Sequence, residues 1–202
     1  MISSKKQLEV SLSKLNQVNY PKVGLEQYPT PSNIAAEVLW SAYMNNDIKN
    51  KIIADFGCGT GVLGIGALLL GAKKVYFVDV DKKILEICKS NSKDLGKKAV
   101  FFNKDVKDFD KKVDVVIQNP PFGVKKEHAD KLFLEKSMDI SNKIYSFHKI
   151  ESKNFISKLA ADKNFKVENI LEFEFKLKKS MKFHKRKFYK VKVGFWVLER
   201  LL

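Results

Sequence analysis

The segment KIIADFGCGTGVLG, residues 51–64, combines a short apolar strand, a glycine-rich turn and the start of a helix. Gly59, Gly61 and Gly64 follow the G-x-G-x-x-G spacing, which lets the chain turn sharply and lets a ligand approach its backbone closely. Such a turn is typical of nucleotide-binding α/β sheets. We therefore expect a ligand site at the carboxyl end of the strand that ends at Phe56.

The segments that follow this turn alternate between strand and helix patterns. Strands are predicted at 51–56, 73–80, 98–105, 113–119 and 143–149, and helices at 62–71, 81–96, 129–141 and 151–164. This alternation predicts a doubly wound, parallel α/β sheet. Two longer alternating runs, 165–177 and 188–200, have no helix between them. They predict an antiparallel pair that completes a seven-stranded, mostly parallel sheet.

A helical extension precedes the first strand, at about 3–43. Its first helix is predicted at 3–19, with four apolar residues at helical spacing: Leu8, Leu12, Leu15 and Val18. A second helix is predicted from Ser32, as its N-cap, to Tyr43. We find no interdomain linker and interpret residues 1–202 as a single domain.

The composition of the chain indicates the kind of partner it binds and the compartment in which it works. The net charge of +15 favours a polyanionic partner, with nucleic acid ahead of an acidic membrane surface. No apolar run approaches the roughly 20 residues that span a bilayer, and the start lacks the apolar stretch of a signal peptide. Cys58 and Cys88 lack metal-site spacing, and the three histidines are scattered, so no metal site is predicted. A cytoplasmic protein with reduced thiols is expected.

Two acidic residues indicate which ligand the glycine turn would bind. Asp79 ends the second strand, where a carboxylate can accept both hydroxyls of a ribose. Asp55, two residues before Gly57, suits the ammonium group of S-adenosylmethionine better than the pyrophosphate of an NAD-type dinucleotide. S-adenosylmethionine is the favoured interpretation, and a dinucleotide or a turn without a ligand are the alternatives.

The third strand contributes a second pair of candidate cofactor contacts. Asp105 is expected to end that strand, where its carboxylate can accept the exocyclic amine of adenine. Val106 offers a backbone N–H and an apolar contact to the ring. The alternative for Asp105 is a turn cap.

The fourth strand ends in Asn119, Pro120, Pro121 and Phe122, beside the expected methyl donor. The exocyclic amine of a base is a poor nucleophile because its lone pair is delocalised into the ring. Two acceptors, the Asn119 side-chain oxygen and the Pro120 carbonyl, can free that pair by drawing the nitrogen toward tetrahedral geometry. Prolines stiffen the loop, and Phe122 offers a ring on which the base can stack. This pattern indicates adenine methylation on an unpaired or flipped base.

Several motifs occur in an order that resembles the methyltransferase-like protein 5 family of ribosomal RNA adenine-N6 methyltransferases. They are EQYPTP, ADFGCGTGVLGIG, FVDVD, NPPFG, Ala129-Asp130, YSFHK and KFHKRK. The resemblance extends from about Leu8 to the C-terminus. The sequence is most like an archaeal version of the family. It implies a Rossmann-like class I S-adenosylmethionine-dependent methyltransferase fold acting on structured RNA, with small-subunit ribosomal RNA favoured.

The resemblance also implies the roles of individual residues. Implied cofactor contacts are Gln27, Thr30, Gly57, Thr60, Val62, Asp79, Asp105 and Val106; Asp55, Gly59 and Gly61 join them from the pattern of the turn. The implied catalytic residues are Asn119, Pro120, Pro121 and Phe122. Eukaryotic members of the family work with a small zinc-binding activator subunit, so the resemblance implies a similar partner at the edge of the sheet.

A basic run lies near the C-terminus. Nine Lys or Arg residues and no acid occur between Phe175 and Leu198, with aromatic residues among them. Cations attract phosphates and aromatic rings stack on unpaired bases, so the run favours RNA binding over a solvated hairpin connection. The candidate RNA contacts are Lys182, His184, Lys185, Arg186 and Lys187, with Lys125 and Lys126 in the loop after the NPPF motif.

Other functions remain as alternatives at this point. The NPPF motif also occurs in methyltransferases for DNA adenine and for protein glutamine. A non-catalytic RNA-binding subunit could keep the same fold, but such a subunit would need neither Asp79 nor the NPPF motif.

Overall fold

A computed structural model describes residues 2–18, 29–122, 129–178 and 188–201. Its helices are α1 (Lys5–Ser13), α2 (Ser32–Met44), α3 (Val62–Leu69), α4 (Lys82–Asn91), α5 (Ala129–Ile140) and α6 (Lys153–Asp162). Its strands are β1 (Ile52–Phe56), β2 (Lys74–Asp79), β3 (Ala99–Asn103), β4 (Val115–Gln118), β5 (Lys143–Lys149), β6 (Phe165–Lys178) and β7 (Phe188–Arg200).

The seven strands form one sheet in the order β3-β2-β1-β4-β5-β7-β6. The pairs from β3 through β5 are parallel, and β7 is antiparallel to both of its neighbours. This arrangement confirms the predicted α/β fold class with its antiparallel strand near the end. The strand order reverses between β1 and β4, which is where open α/β sheets bind ligands.

Helices cover both faces of the sheet. On one face, helices α1 to α4 bury apolar side chains that include Leu12, Leu39, Leu63 and Leu85. On the other face, α5 and α6 bury Leu134, Met138, Ile156 and Leu159. This double cover explains why the inner strands are largely apolar, with their polar side chains mostly near the carboxyl ends. In the described part of the chain, no helix has the length and apolarity needed to cross a membrane.

The predicted first helix is too long. Helix α1 ends at Ser13, and the backbone N–H of Asn16 donates to Asn91 Oδ1 of α4 at 2.9 Å. Leu8 and Leu12 are buried as expected, but a tertiary hydrogen bond replaces the next helical turn. The predicted cap of α2 is also wrong, because Pro31 occupies the N-cap position and its carbonyl accepts from Ala35 N–H.

Two boundaries near the predicted site also differ from the sequence prediction. Strand β3 ends at Asn103, so Asp105 does not end the strand. Asp105 instead caps a short 3-10 helix, with its Oδ1 accepting from Lys107 N–H at 3.1 Å. Helix α4 ends at Asn91 and is followed by a 3-10 segment, Lys93–Lys98, that contains Gly96 at φ +62°.

Candidate active site

The glycine turn between β1 and α3 depends on left-handed backbone. Gly57, Gly59 and Gly61 have φ values of +62°, +53° and +89°, a region that other residues rarely adopt. A Cβ on Gly57 would also lie only 3.1 Å from a ring carbon of Phe133. The turn therefore lets the backbone curve tightly at the carboxyl end of β1, and Gly61 forms the N-cap of α3.

Gly64 has a different purpose, because it lies inside α3. A Cβ there would approach a ring carbon of Phe77 to 2.4 Å and Asp55 Oδ2 to 2.9 Å. The absence of a side chain lets the helix lie close to the sheet. The Gly64 N–H thereby donates to Asp55 Oδ2 at 2.8 Å.

Asp55 is almost fully buried beneath the turn. Burial raises the pKa of Asp55 to about 8; the hydrogen bond from Gly64 opposes the rise, and the negative charge of Asp79 adds to it. A nearby cation such as an ammonium group would favour the ionised form of this carboxyl. The residue therefore fits the predicted ammonium contact, although its hydrogen bond in the structure is to the backbone.

Asp79 ends β2 as predicted and is 9% exposed. Its two carboxylate oxygens accept from Gly59 N–H at 2.9 Å and from Asp81 N–H at 2.8 Å. These two bonds fix the carboxylate in place at the end of β2. The carboxylate, the curved backbone and the buried acid together fit the nucleoside and amino-acid parts of S-adenosylmethionine.

The other predicted cofactor residues lie around this turn or follow the neighbouring strand. Thr60 and Val62 are buried in the turn and at the start of α3. Asn103 pairs with Asp79 in the sheet, so Asp105 and Val106 follow at the same edge. Val106 is buried and Asp105 is half-buried.

Asn119 follows directly after β4, next to the glycine turn. The register pairs Phe56 of β1 with Gln118 of β4, so Gly57 and Asn119 leave the sheet side by side. The Asn119 side chain donates from Nδ2 to Thr30 Oγ1 at 3.0 Å. Thr30, expected to contact the cofactor, therefore contacts the amide of the NPPF motif.

Phe122 does not display an open ring in the structure. It is 8% exposed and packs at a tilt against Phe175, with 6.5 Å between ring centroids. Pro120 is buried and Pro121 is half-buried. A base that stacks on Phe122 therefore requires the ring to expose a face that neighbouring side chains cover.

Several predicted contacts lie outside the described residues. These are Gln27 in the cofactor set and all of the candidate RNA contacts: Lys125, Lys126, Lys182, His184, Lys185, Arg186 and Lys187. Among the remaining basic residues of the C-terminal run, Lys190 pairs with Glu174 of the adjacent strand at 2.8 Å. This acid lies one position before the run begins, and the antiparallel pairing of β6 and β7 brings it next to Lys190.

Sequence reasoning missed two side chains that support the site. Asn91 Nδ2 donates to the Thr60 carbonyl at 3.0 Å and to the Asn16 carbonyl at 3.1 Å, joining the glycine turn to the N-terminal segment. Gln118, fully buried at the end of β4, bonds to polar side chains of α5 and β5. A polar residue at the end of an apolar strand was a visible signal for Gln118. No comparable signal marked Asn91.

Comparisons with known proteins agree with this geometry. The family model described as Methyltransferase small domain matches residues 32–141. The rRNA N(6)-adenosine-methyltransferase METTL5 of Danio rerio is 38% identical over 202 residues, covering 94% of this chain and 96% of that protein.

Solved structures give the same result. The crystal structure of a candidate RNA methyltransferase from Pyrococcus horikoshii is 42% identical with a TM-score of 0.93, covering 100% of both chains. Magnesium protoporphyrin IX methyltransferase of Synechocystis PCC 6803, solved with bound S-adenosylmethionine, is 18% identical with a TM-score of 0.66, covering 98% of this chain and 92% of that one. The latter likeness concerns the fold alone.

The order of the strands, the glycine turn followed by an acid and the near full-length similarity to METTL5 lead to one assignment. The chain belongs to the methyltransferase-like protein 5 family, within the class I methyltransferase fold.

Proposed function

We propose that this protein transfers a methyl group from S-adenosylmethionine to the N6 amine of an adenosine in structured RNA, with small-subunit ribosomal RNA as the first candidate. The observation that carries the proposal is the register of β1 and β4. It brings the turn that fits the methyl donor and the Asn119 amide to the same point of the sheet edge.

S-adenosylmethionine would supply an electrophilic methyl group. Asp79 would hold its ribose, since its carboxylate is fixed by Gly59 and Asp81. Asp55 would lie near the ammonium group, and Val106 would line the adenine side of the site. Gly57, Gly59 and Gly61 would let the cofactor lie against the backbone because they carry no side chain.

Asn119 would act on the target base. Its Nδ2 is bonded to Thr30, so the orientation of its amide is fixed and Oδ1 is the atom that would accept from the adenine amine. The Pro120 carbonyl would be the second acceptor. Neither group is a general base, and none is required before transfer because the methylated cation loses its proton readily. Catalysis would rest mainly on positioning of the amine against the methyl group.

The RNA partner is supported by the charge of +15 and by the activity for which the METTL5 relative is named. Pro121 and Phe122 would bound the pocket for the flipped base. The basic candidates that follow the NPPF motif and those of the C-terminal run would hold the phosphate backbone, namely Lys125, Lys126, Lys182, His184, Lys185, Arg186 and Lys187.

A small zinc-binding activator subunit is a further part of the proposal, derived from the family resemblance. The sheet leaves two edge strands, β3 and β6, and an edge strand invites strand addition by a partner. Purification of the tagged protein from its native source should recover this subunit. Full activity of the protein alone would count against an obligatory partner.

Cytoplasmic localisation also belongs to the proposal. Cys58 and Cys88 are free, buried thiols, as expected in a reducing compartment.

The decisive experiment supplies labelled S-adenosylmethionine and deproteinised ribosomal RNA, followed by nucleoside analysis. N6-methyladenosine is the expected product. Asn119→Ala should lower turnover by at least about 100-fold and leave the cofactor dissociation constant nearly unchanged, because the residue would contact the base and not the cofactor. Parallel reactions would offer DNA or protein as the substrate. Label in DNA or in protein glutamine, with none in RNA, would replace the proposal by one of those alternatives.

A further inference from the structure

A chain of buried polar side chains lies behind the NPPF motif. Ser137 Oγ of α5 lies 3.0 Å from Gln118 Oε1 and 2.8 Å from the Phe133 carbonyl, two acceptors that share its one proton. Gln118 Nε2 donates to Ser146 Oγ at 3.0 Å. Ser146 Oγ lies 2.7 Å from His148 Nε2, and His148 Nδ1 lies 3.8 Å from Asp130 Oδ2. We call these five side chains the buried polar chain.

The position of the buried polar chain in the sheet is unusual. Side chains two residues apart on a strand point to the same face, so Val116 precedes Gln118 and Ile144 precedes Ser146 on this face. Both preceding side chains are apolar and fully buried. The face therefore changes from apolar to polar only at the carboxyl ends of β4 and β5, beside the candidate active site.

The donors set part of the direction of these contacts. The Gln118 amide nitrogen can only donate, so Ser146 Oγ accepts from it. Which atom donates in the Ser146–His148 contact depends on the tautomer of the ring. The tautomer with its proton on Nδ1 would let Nε2 accept from Ser146 and would present an N–H to Asp130.

The electrostatics of Asp130 agree with this arrangement. Burial raises the pKa of the Asp130 carboxyl, but the interaction with His148 and the backbone N–H of Lys131 more than offset that effect, so the pKa is lowered. Asp130 is therefore an anion opposite the His148 ring, which itself is 1% exposed.

Two members of the buried polar chain lie on either side of the NPPF motif in sequence. Gln118 directly precedes Asn119, and Asp130 belongs to the first turn of α5. The four proposed catalytic residues lie between them. Gln118 contacts Ser146 and Asp130 faces His148, and both of these β5 side chains are buried.

We infer that Asp130, His148, Ser146 and Gln118 are positioning residues that hold Asn119, at the end of β4, and the first turn of α5 in place for methyl transfer. This inference rests on the proposed function of Asn119. None of these side chains is required to touch RNA or cofactor. They act by fixing where the Asn119 amide lies, and misplacement of a reacting group by about 1 Å costs on the order of 100-fold in rate.

Two variants interrupt the chain and one restores it. His148→Leu removes both ring nitrogens, and Ser146→Ala removes the link to Gln118. Both should lower kcat by at least about tenfold while the S-adenosylmethionine dissociation constant changes less than about twofold. His148→Gln offers an amide oxygen to the Ser146 hydroxyl and should recover part of the lost kcat.

Ser141 provides a matched control. It is also a buried serine, and it directly follows α5. Its Oγ bonds to the carbonyls of Asp114 and Lys143 at 2.9 Å. It lies at the amino ends of β4 and β5, opposite to the carboxyl ends that form the candidate site. Ser141→Ala should lower stability to a similar extent and leave kcat unchanged. An equal loss of kcat in this control would overturn the inference, because the buried polar chain would then be merely structural.

Hydrogen exchange gives a readout that does not depend on substrate. Peptides that contain the end of β4 or the first turn of α5 should exchange faster in His148→Leu and Ser146→Ala than in the wild type or in Ser141→Ala. Unchanged exchange together with unchanged kcat would overturn the inference. A wild-type protein that leaves ribosomal RNA adenosine unmethylated would overturn the proposed function, while the exchange comparison would still decide whether the buried polar chain holds these two elements.

Discussion

Thr30 Oγ1 accepts a hydrogen bond from Asn119 Nδ2 at 3.0 Å, although 89 residues separate them in sequence. The bond joins the segment before α2 to the segment after β4. It also fixes which atom of the Asn119 amide faces Thr30 and which is turned away. The N-terminal extension therefore contributes directly to the geometry of the candidate catalytic motif.

A change at Thr30 tests this link. Thr30→Val keeps the shape of the side chain but removes the acceptor, so the Asn119 amide can rotate. We expect kcat to fall by about tenfold or more, since reactivity depends on orientation. Steady-state kinetics with ribosomal RNA would measure the change.

The matched control is Thr30→Ser, which keeps the hydroxyl and should stay within about threefold of the wild type. Equal losses in both variants would show that the methyl group of Thr30, and not its hydroxyl, is what matters.

Asp79 is expected to determine cofactor affinity. Asp79→Ala removes the proposed ribose contact and leaves the N–H groups of Gly59 and Asp81 without their acceptor. Binding should weaken by about 2–4 kcal/mol, the sum of lost charged hydrogen bonds and a looser turn. Calorimetry with S-adenosylmethionine would measure it.

Asp79→Asn separates the loss of charged hydrogen bonds from the loosening of the turn. It keeps one acceptor oxygen for the turn while removing the charge. Affinity equal to that of the wild type in both variants would remove Asp79 from the site.

Asp55 makes the stability of the cofactor-free protein depend on pH. Its pKa is 3.8 in the unfolded chain and about 8 in the folded one, so the folded state holds a proton that the unfolded state has lost between these values. The free energy of unfolding contributed by this group therefore falls as pH rises from about 4 to about 8.

Asp55→Asn removes this dependence and keeps an oxygen for Gly64 N–H. The difference in free energy of unfolding between the variant and the wild type should rise by at least about 1 kcal/mol in favour of the variant from pH 5 to pH 8. Urea denaturation at the two pH values would measure the gain. An identical difference at both would mean that Asp55 is ionised throughout that range.

The basic run should bind RNA backbone without selecting the base. Replacing Lys182, Lys185, Arg186 and Lys187 by Ala should weaken RNA binding and flatten its salt dependence by a slope of roughly 0.7 per lost phosphate contact. The methylated position should stay the same. Affinity across a salt series, with the modified nucleotide mapped in parallel, would test both statements.

Lys190 gives the control for this experiment, because it belongs to the same run but pairs with Glu174. Lys190→Ala should change the slope less than the quadruple variant does per residue removed. An unchanged slope in the quadruple variant would identify the run as a solvated hairpin connection.

Local signals predicted most of the fold. The strand-turn-helix pattern at 51–64 and the alternation after it were sufficient for the parallel sheet, because glycine spacing and apolar periodicity reflect neighbours along the chain. The long runs at 165–177 and 188–200 likewise predicted the antiparallel pair. Boundaries were less accurate: α1 stops at Ser13 because Asn16 bonds to Asn91, which is a contact between distant residues.

The sequence by itself determined which chemical groups lie at the ends of the strands: Asp55 and the glycines at the end of β1, Asp79 at the end of β2 and Asn119 after β4. Only the tertiary structure decided how those groups are held. Thr30 reaches Asn119, Asn91 reaches Thr60, and His148 connects Gln118 to Asp130 through Ser146 and across the face of the sheet. The physical reason is that a hydrogen bond depends on distance and direction in space, and no spacing along the chain encodes which distant side chain will satisfy a buried polar group.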